Sequence, residues 1–239
     1  MNCKTLLAAS LFAMTAGTAF AESGFLHDYS ILKPMPNQGN DRGYIAPDGF
    51  KRMAAYKAVM VDQAEIHFDA HSEYRGLKPE DIQALASLMR EAMQERLTAG
   101  GYRVVEQPAA DAIYLRMALT DLYLKKKKRK LLQYTPVGAV AKAGTDVLKE
   151  TLDKVDIIEM AFEAELADSR SGELLAAVVV KRGAPEGGKE QRMDREEFRA
   201  TIREYADRLR CRLDNSRVPE SQWINCLDPQ ARQLRQGPR

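Results

Sequence analysis

Cysteine, histidine and aromatic residues are scarce in this sequence. Its 239 residues hold three Cys, three His and one Trp, and aromatics make up 7%. No His or third Cys lies near Cys211 and Cys226 to complete a metal site. There is no nucleophile-elbow serine pattern and no metalloprotease helix. A strong charge of one sign is also missing. The formal net charge is +2, and a general nucleic-acid binder is usually far more basic. After the first twenty-one residues no apolar run reaches the length that spans a bilayer.

The first twenty-one residues are different. Lys4 gives a positive start, "TLLAASLFAMTAGTAF" is apolar and uncharged, and "AFA" puts small residues where a signal peptidase reads them. Cleavage after Ala21 is expected, with delivery to the periplasm; association with the outer membrane is compatible with this. Export removes Lys4 and leaves a net charge of about +1. It also excludes the nuclear-address reading of "KKKKRK".

Cys3 leaves with the signal peptide. Cys211 and Cys226 remain, an even pair bound for an oxidising compartment. A disulfide between them closes a loop of about 15 residues, worth about 3 kcal/mol in the chain-entropy model. Two free buried thiols are the alternative.

The pattern along the rest predicts an α/β (α+β) fold: a mixed β-sheet with packed helices in the order β-α-β-β-α-β-β-α, after an irregular N-terminal arm. Residues 22–55 form that arm, rich in Pro and Gly. Residues 56–214 are expected to be a single domain, and 215–239 a tail partly pinned by the disulfide, with its end frayed. "YKAVMVDQAEIHFDA" reads as a strand bent near Gln63, with Ile66 and Phe68 facing in. Pro79, Glu80 and Asp81 open a helix whose stripe is Ile82, Leu85, Met89, Met93 and Leu97, stopped by Gly100 and Gly101. Ile113, Leu115, Met117 and Leu119 alternate as a strand. A second helix follows Pro136, with Val137 to Val155 along its stripe. Next comes a hairpin: Ile158, Met160, Phe162, Ala164 and Leu166 inward, Glu159, Glu163 and Glu165 outward, and Leu174 to Val180 returning. Asp194 and Glu197 suit a capping box before a helix with Phe198, Ile202, Tyr205 and Leu209 on its buried stripe.

Three groups could carry chemistry. Glu65, His67, Asp69 and His71 alternate, so a straight strand would put all four on one face, and imidazole with carboxylate suits zinc or copper. The same spacing describes a solvated strand, which is the favoured reading; His67, Asp69 and His71 stay as metal candidates only. Glu163 and Glu165 share a strand face, but Arg116 is the expected partner in a surface ion pair, so no catalytic role is assigned. "EGGKE" lacks the glycine spacing and the Ser or Thr of a phosphate loop. No cofactor is expected.

The run Lys125, Lys126, Lys127, Lys128, Arg129 and Lys130 has two readings. It blunts a strand end against edge pairing, or it touches anionic lipid or lipopolysaccharide, at about 1 kcal/mol per cation. Nucleic acid is disfavoured because no aromatics interleave the charges.

The pieces "SGFLHDYSILKP" and "ELADSRSGELLA", with Pro136, Val137 and Gly138 between them, resemble the domain-of-unknown-function 3313 family of Gram-negative envelope proteins, many of them lipoproteins. The resemblance spans roughly residues 23–215. It implies an envelope location and no known reaction. Glu22 stands where the family's lipoproteins carry an acylated Cys, so no lipid anchor is expected. The element order is also similar to small periplasmic α/β domains that assemble into rings. The expectation is therefore a non-enzymatic envelope protein that binds an envelope partner or anionic surface through loops and the basic run. A periplasmic metal-binding protein or enzyme, and a self-assembling homo-oligomer, are the alternatives.

Overall fold

The computed structural model describes residues 22–35, 41–127, 155–182 and 192–235. The expected second helix, "EGGKE" and Lys128 to Lys130 lie outside them.

One sheet organises the chain. Its strands are β1 (Lys33–Pro34), β2 (Arg42–Ile45), β3 (Ala58–Val61), β4 (Glu65–Phe68), β5 (Arg103–Val104), β6 (Ala112–Lys126), β7 (Val155–Asp168) and β8 (Leu174–Arg182). Their order is β1-β2-β8-β7-β6-β3-β5, with β4 also on β6. The β1 to β6 side is antiparallel, while β3 and β4 run parallel to β6, and β5 parallel to β3. A parallel pair needs a crossover, and helix α2 (Pro79–Ala99) supplies it between β4 and β5. The expected α/β fold with a mixed sheet is what forms.

Local chemistry explains the elements. The bend at Gln63 is a break between β3 and β4. There the Asp62 carboxylate accepts the Tyr114 hydroxyl and the Gln63 N–H, while the Asp62 backbone N–H makes a last bond to the Leu115 carbonyl of β6. At the start of α2, Pro79 needs no donor and Asp81 accepts the Lys78 N–H at 2.9 Å. Helix α3 (Arg195–Ser216) opens on a reciprocal box: Glu197 N–H to Asp194, 3.0 Å, and Asp194 N–H to Glu197, 3.1 Å.

The main core lies between α2 and α3 and one face of the sheet. Leu85, Met89, Met93 and Leu97 meet Leu115, Met117 and Leu119, while Phe198, Ile202, Tyr205 and Leu209 lie in the same core as β7 and β8. The Tyr205 and Phe162 rings stack at 5.2 Å. The other face carries a smaller core, where Phe25, Leu26 and Leu32 pack with Ala118, Ala177 and Val179.

Several expectations change. Ile157, not Ile158, belongs to the main core, and Val155 opens β7 rather than closing a helix. The cause is a pair of bulges, one in β6 before Tyr123 and one in β7 at Ile158. Asp121 sits at φ 50°, Leu119 and Leu122 both face the main core, and the β6–β7 register shifts on either side of Tyr123. One extra residue inverts the two-residue alternation beyond it. Phe68 is 38% exposed rather than inward, because β4 ends there. Residues 22–55 are irregular only in part, since they supply β1, β2 and α1 (Gly49–Met53). The C-terminal stretch folds back as a short 3-10 turn (Glu220–Gln222) and α4 (Pro229–Arg235). The Cys211–Cys226 disulfide ties it down, with Cα atoms 5.7 Å apart. Buried Arg232 bonds the Cys226 carbonyl at 2.5 Å and Glu204 at 2.5 Å.

Candidate functional site

The residues from Ser23 to Tyr29 close over β6 and β7. Glu163, expected outward, is buried beneath them. Its carboxylate accepts the Tyr29 hydroxyl at 2.6 Å and the Thr120 hydroxyl at 2.7 Å. The Tyr29 oxygen accepts in turn from the Leu26 N–H at 3.2 Å and lies 2.7 Å from the Ser23 hydroxyl. Burial, and next the carboxylate it serves, raise the Tyr29 phenol above its ordinary pKa. A buried carboxylate with two hydroxyl donors is a tie, with no substrate-facing edge.

Glu165 takes the expected partner: Arg116 Nη1 lies 2.6 Å from its Oε2. The pair is half-buried rather than a surface pair, because the Phe25 ring covers the guanidinium at 4.7 Å. Arg116 also reaches Glu65 at 3.3 Å, and Glu65 holds His67 at 2.9 Å. Asp69 and His71 form a separate contact of 3.4 Å beyond the end of β4. The four alternating residues therefore split into two pairs. Among the described residues no group of three or more His, Cys, Asp or Glu is placed to hold a metal.

The basic run begins inside the sheet. Lys125 and Lys126 pair with Asp156 and Val155 of β7. The Lys125 ammonium lies 3.3 Å from Glu73 and over the Tyr123 ring. Lys126 is exposed.

A feature the sequence reading missed lies at the opposite side of the sheet. β1 and β2 form that edge beside β8, and α1 packs against β8 there. There, a cleft of about 310 Å³ opens between α1, α3 and the strands. Ile45, Phe50, Met53, Leu166, Val178 and Leu213 give it an apolar wall. Among the described residues Lys33 and Arg212 are its charged members, and no carboxylate lines it. Burial pulls the Arg212 guanidinium below its ordinary pKa, and buried Asp41 opposes that shift. Ala176 and Val178 of β8, which point to the main core side, are only half-buried where the cleft meets them. Trp223 of the pinned tail lies against Phe50, ring centres 4.9 Å apart. Ile45 and Trp223 are two of the three large exposed hydrophobics among the described residues. The signal in the sequence was a lone Ile and a lone Trp within turn-rich segments, and only the fold brings the segments together.

A family model described as "Protein of unknown function (DUF3313)" matches residues 21–209. The chain belongs to the DUF3313 family. No match to the curated proteins was found. Among solved structures, this DUF3313 chain is similar to two dodecamers of PelC from Paraburkholderia phytofirmans. One is 15% identical, with a TM-score of 0.33, and covers 68% of this chain and 90% of that one. The other is 14% identical, with a TM-score of 0.34, and covers 68% and 88%. Likeness of that degree assigns no role.

The residues by which the sequence resembles the DUF3313 family hold the fold together. Ser23, Phe25, Leu26 and Tyr29 close the second core. In the hairpin turn, Asp168 accepts the Tyr56 hydroxyl at 2.6 Å and the N–H groups of Arg170 and Ser171. Those bonds, the Tyr56 one foremost, hold its carboxyl down at about 2. Ser169 clasps the backbone of Ala109, and Glu173 takes both arms of Arg52 at 2.6 and 2.8 Å. Gly172 turns the chain at φ 72°.

Proposed function

We propose that the protein is an exported, non-catalytic component of the cell envelope that works by holding a partner at the β1–β2 side of its sheet. One contrast carries the reading. The carboxylates that sequence patterns single out are engaged within the molecule, Glu163 by Tyr29, Glu165 by Arg116 and Asp168 by Tyr56. Among the described residues, two of the three large exposed hydrophobics, Ile45 and Trp223, lie instead beside one apolar cleft. A concave apolar wall with a few polar groups is the usual form of a binding site.

Two experiments test this. Sequencing the N-terminus of the protein from a periplasmic fraction should begin at Glu22; intact Met1 in the cytosol would overturn the envelope assignment. A photo-crosslinking residue at Ile45 should give a defined adduct in cells, and one at exposed Glu91 on α2 should give none. Equal silence at both positions would remove the cleft as the binding face.

The basic run gives a second, weaker contact with anionic surfaces, favoured by the exposure of Lys126. Binding to vesicles containing anionic lipid should fall as salt rises. If Lys126→Glu with Lys127→Glu leaves it unchanged, this contact is absent.

A further inference from the structure

We propose that the cleft beside β2 takes a single-chain anionic amphiphile, its alkyl chain along the apolar wall and its head between Lys33 and Arg212. The inference rests on the cleft being the binding face, and goes further by naming the chemistry of what it holds.

The lining separates by character. Phe50, Met53, Leu166, Val178 and Leu213 offer no hydrogen bond to a polar ligand, so the body of the ligand is hydrocarbon. The volume, about 310 Å³, is at the lower end of the range for small-molecule sites, about 300–1,000 Å³. It fits one chain rather than a two-chain lipid or a folded domain. The charged members decide the head. Lys33 and Arg212 both line the cleft, and Arg208 extends the positive side through a narrow neighbouring recess that shares Val178, Leu209 and Arg212. Against these stand Asp41, which faces Arg212 and Arg208, and Glu204, which is shared between Arg208 and Arg232. Among the described residues, four cations against two carboxylates leave the region positive, so it complements an anion. An ammonium head would meet like charge.

The chain supplies its own reporter. Trp223 is its only tryptophan, and it lies on Phe50 of the cleft wall. Titrating the purified protein with dodecanoate, below its micelle concentration, should shift Trp223 emission saturably with a stoichiometry of one. Dodecanol should bind more weakly, and dodecyltrimethylammonium more weakly still. Lys33→Gln with Arg212→Gln should weaken dodecanoate by about tenfold or more and change dodecanol by less than about twofold. Arg212 also faces buried Asp41, so Lys33→Gln alone serves if the double variant unfolds, with a smaller loss of the same selectivity. Ala176→Phe, which fills the cleft from β8, should abolish binding of both. If that variant fails to fold, protection of Ile45→Cys from a maleimide by dodecanoate reads the same contact.

A shift that does not saturate, equal binding of the ammonium probe, or full binding after the Gln substitutions would each overturn the proposal. If dodecanoate does not bind while an Ile45 adduct to a protein persists, the groove docks a polypeptide; the amphiphile proposal then falls and the binding reading stands. Loss of both overturns both.

Discussion

Tyr29 and Glu163 are 134 positions apart in sequence, yet the Tyr29 hydroxyl donates to the Glu163 carboxylate across 2.6 Å beneath the N-terminal segment. The bond ties residues 22–32 to the centre of the sheet. Tyr29→Phe leaves a buried carboxylate with one hydroxyl donor and takes the acceptor from the Leu26 N–H. It should cost about 1.5–3 kcal/mol, read as a fall in the urea midpoint. Protease cleavage within residues 22–32 should quicken in the same variant.

Asp168 should make the stability of the hairpin turn depend on acid. Its folded pKa is held at about 2, below the ordinary 3.8 of an aspartate, first by the Tyr56 hydroxyl and then by the Ser171 N–H. A depressed carboxyl stabilises the fold above its unfolded pKa, and that contribution is lost as pH falls through the folded value. Tyr56→Phe should therefore destabilise the protein clearly at pH 6. The gap from the wild type should narrow between about pH 4 and pH 2. Denaturation curves at each pH check the trend.

Gly49 opens α1 against the sheet. A Cβ there would lie 2.9 Å from the Leu175 carbonyl oxygen and 2.9 Å from Ile45 Cγ2. Gly49→Ala should therefore destabilise by about 1–3 kcal/mol, as overpacking does. Alanine is the better helix former by about 1 kcal/mol, so propensity alone gives the opposite sign. A thermal melt separates the two.

The disulfide joins residues 15 apart and holds the tail that carries Trp223. Replacing Cys211 and Cys226 with Ser should cost about 3 kcal/mol. Trp223 emission should move toward the red as the ring leaves Phe50 at lower urea than the global transition.

Arg52 and Glu173 form a two-armed pair that is well placed but exposed. Arg52→Ala should leave the urea midpoint almost unchanged, because solvent screens such pairs. A clear fall would show that the turn depends on it.

The sequence by itself determined the local elements. Period 3.6 apolar spacing marked α2 and α3, the Asp194–Glu197 spacing marked the cap, and alternation marked β6 and the β7–β8 hairpin. These signals depend on neighbours within a few residues, so they survive without knowledge of the fold. It also supplied the cysteine pair and the Arg116–Glu165 partnership, since opposite charges on facing strands attract. Three things were decided only by tertiary structure. Bulges near Asp121 in β6 and at Ile158 in β7 changed which residues beyond them face the core, and alternation alone cannot place an extra residue. The burial of Glu163 depends on a segment 134 positions away. The cleft forms where α1, α3 and strands from distant parts of the chain meet, a property of the assembled layers that no stretch of sequence carries.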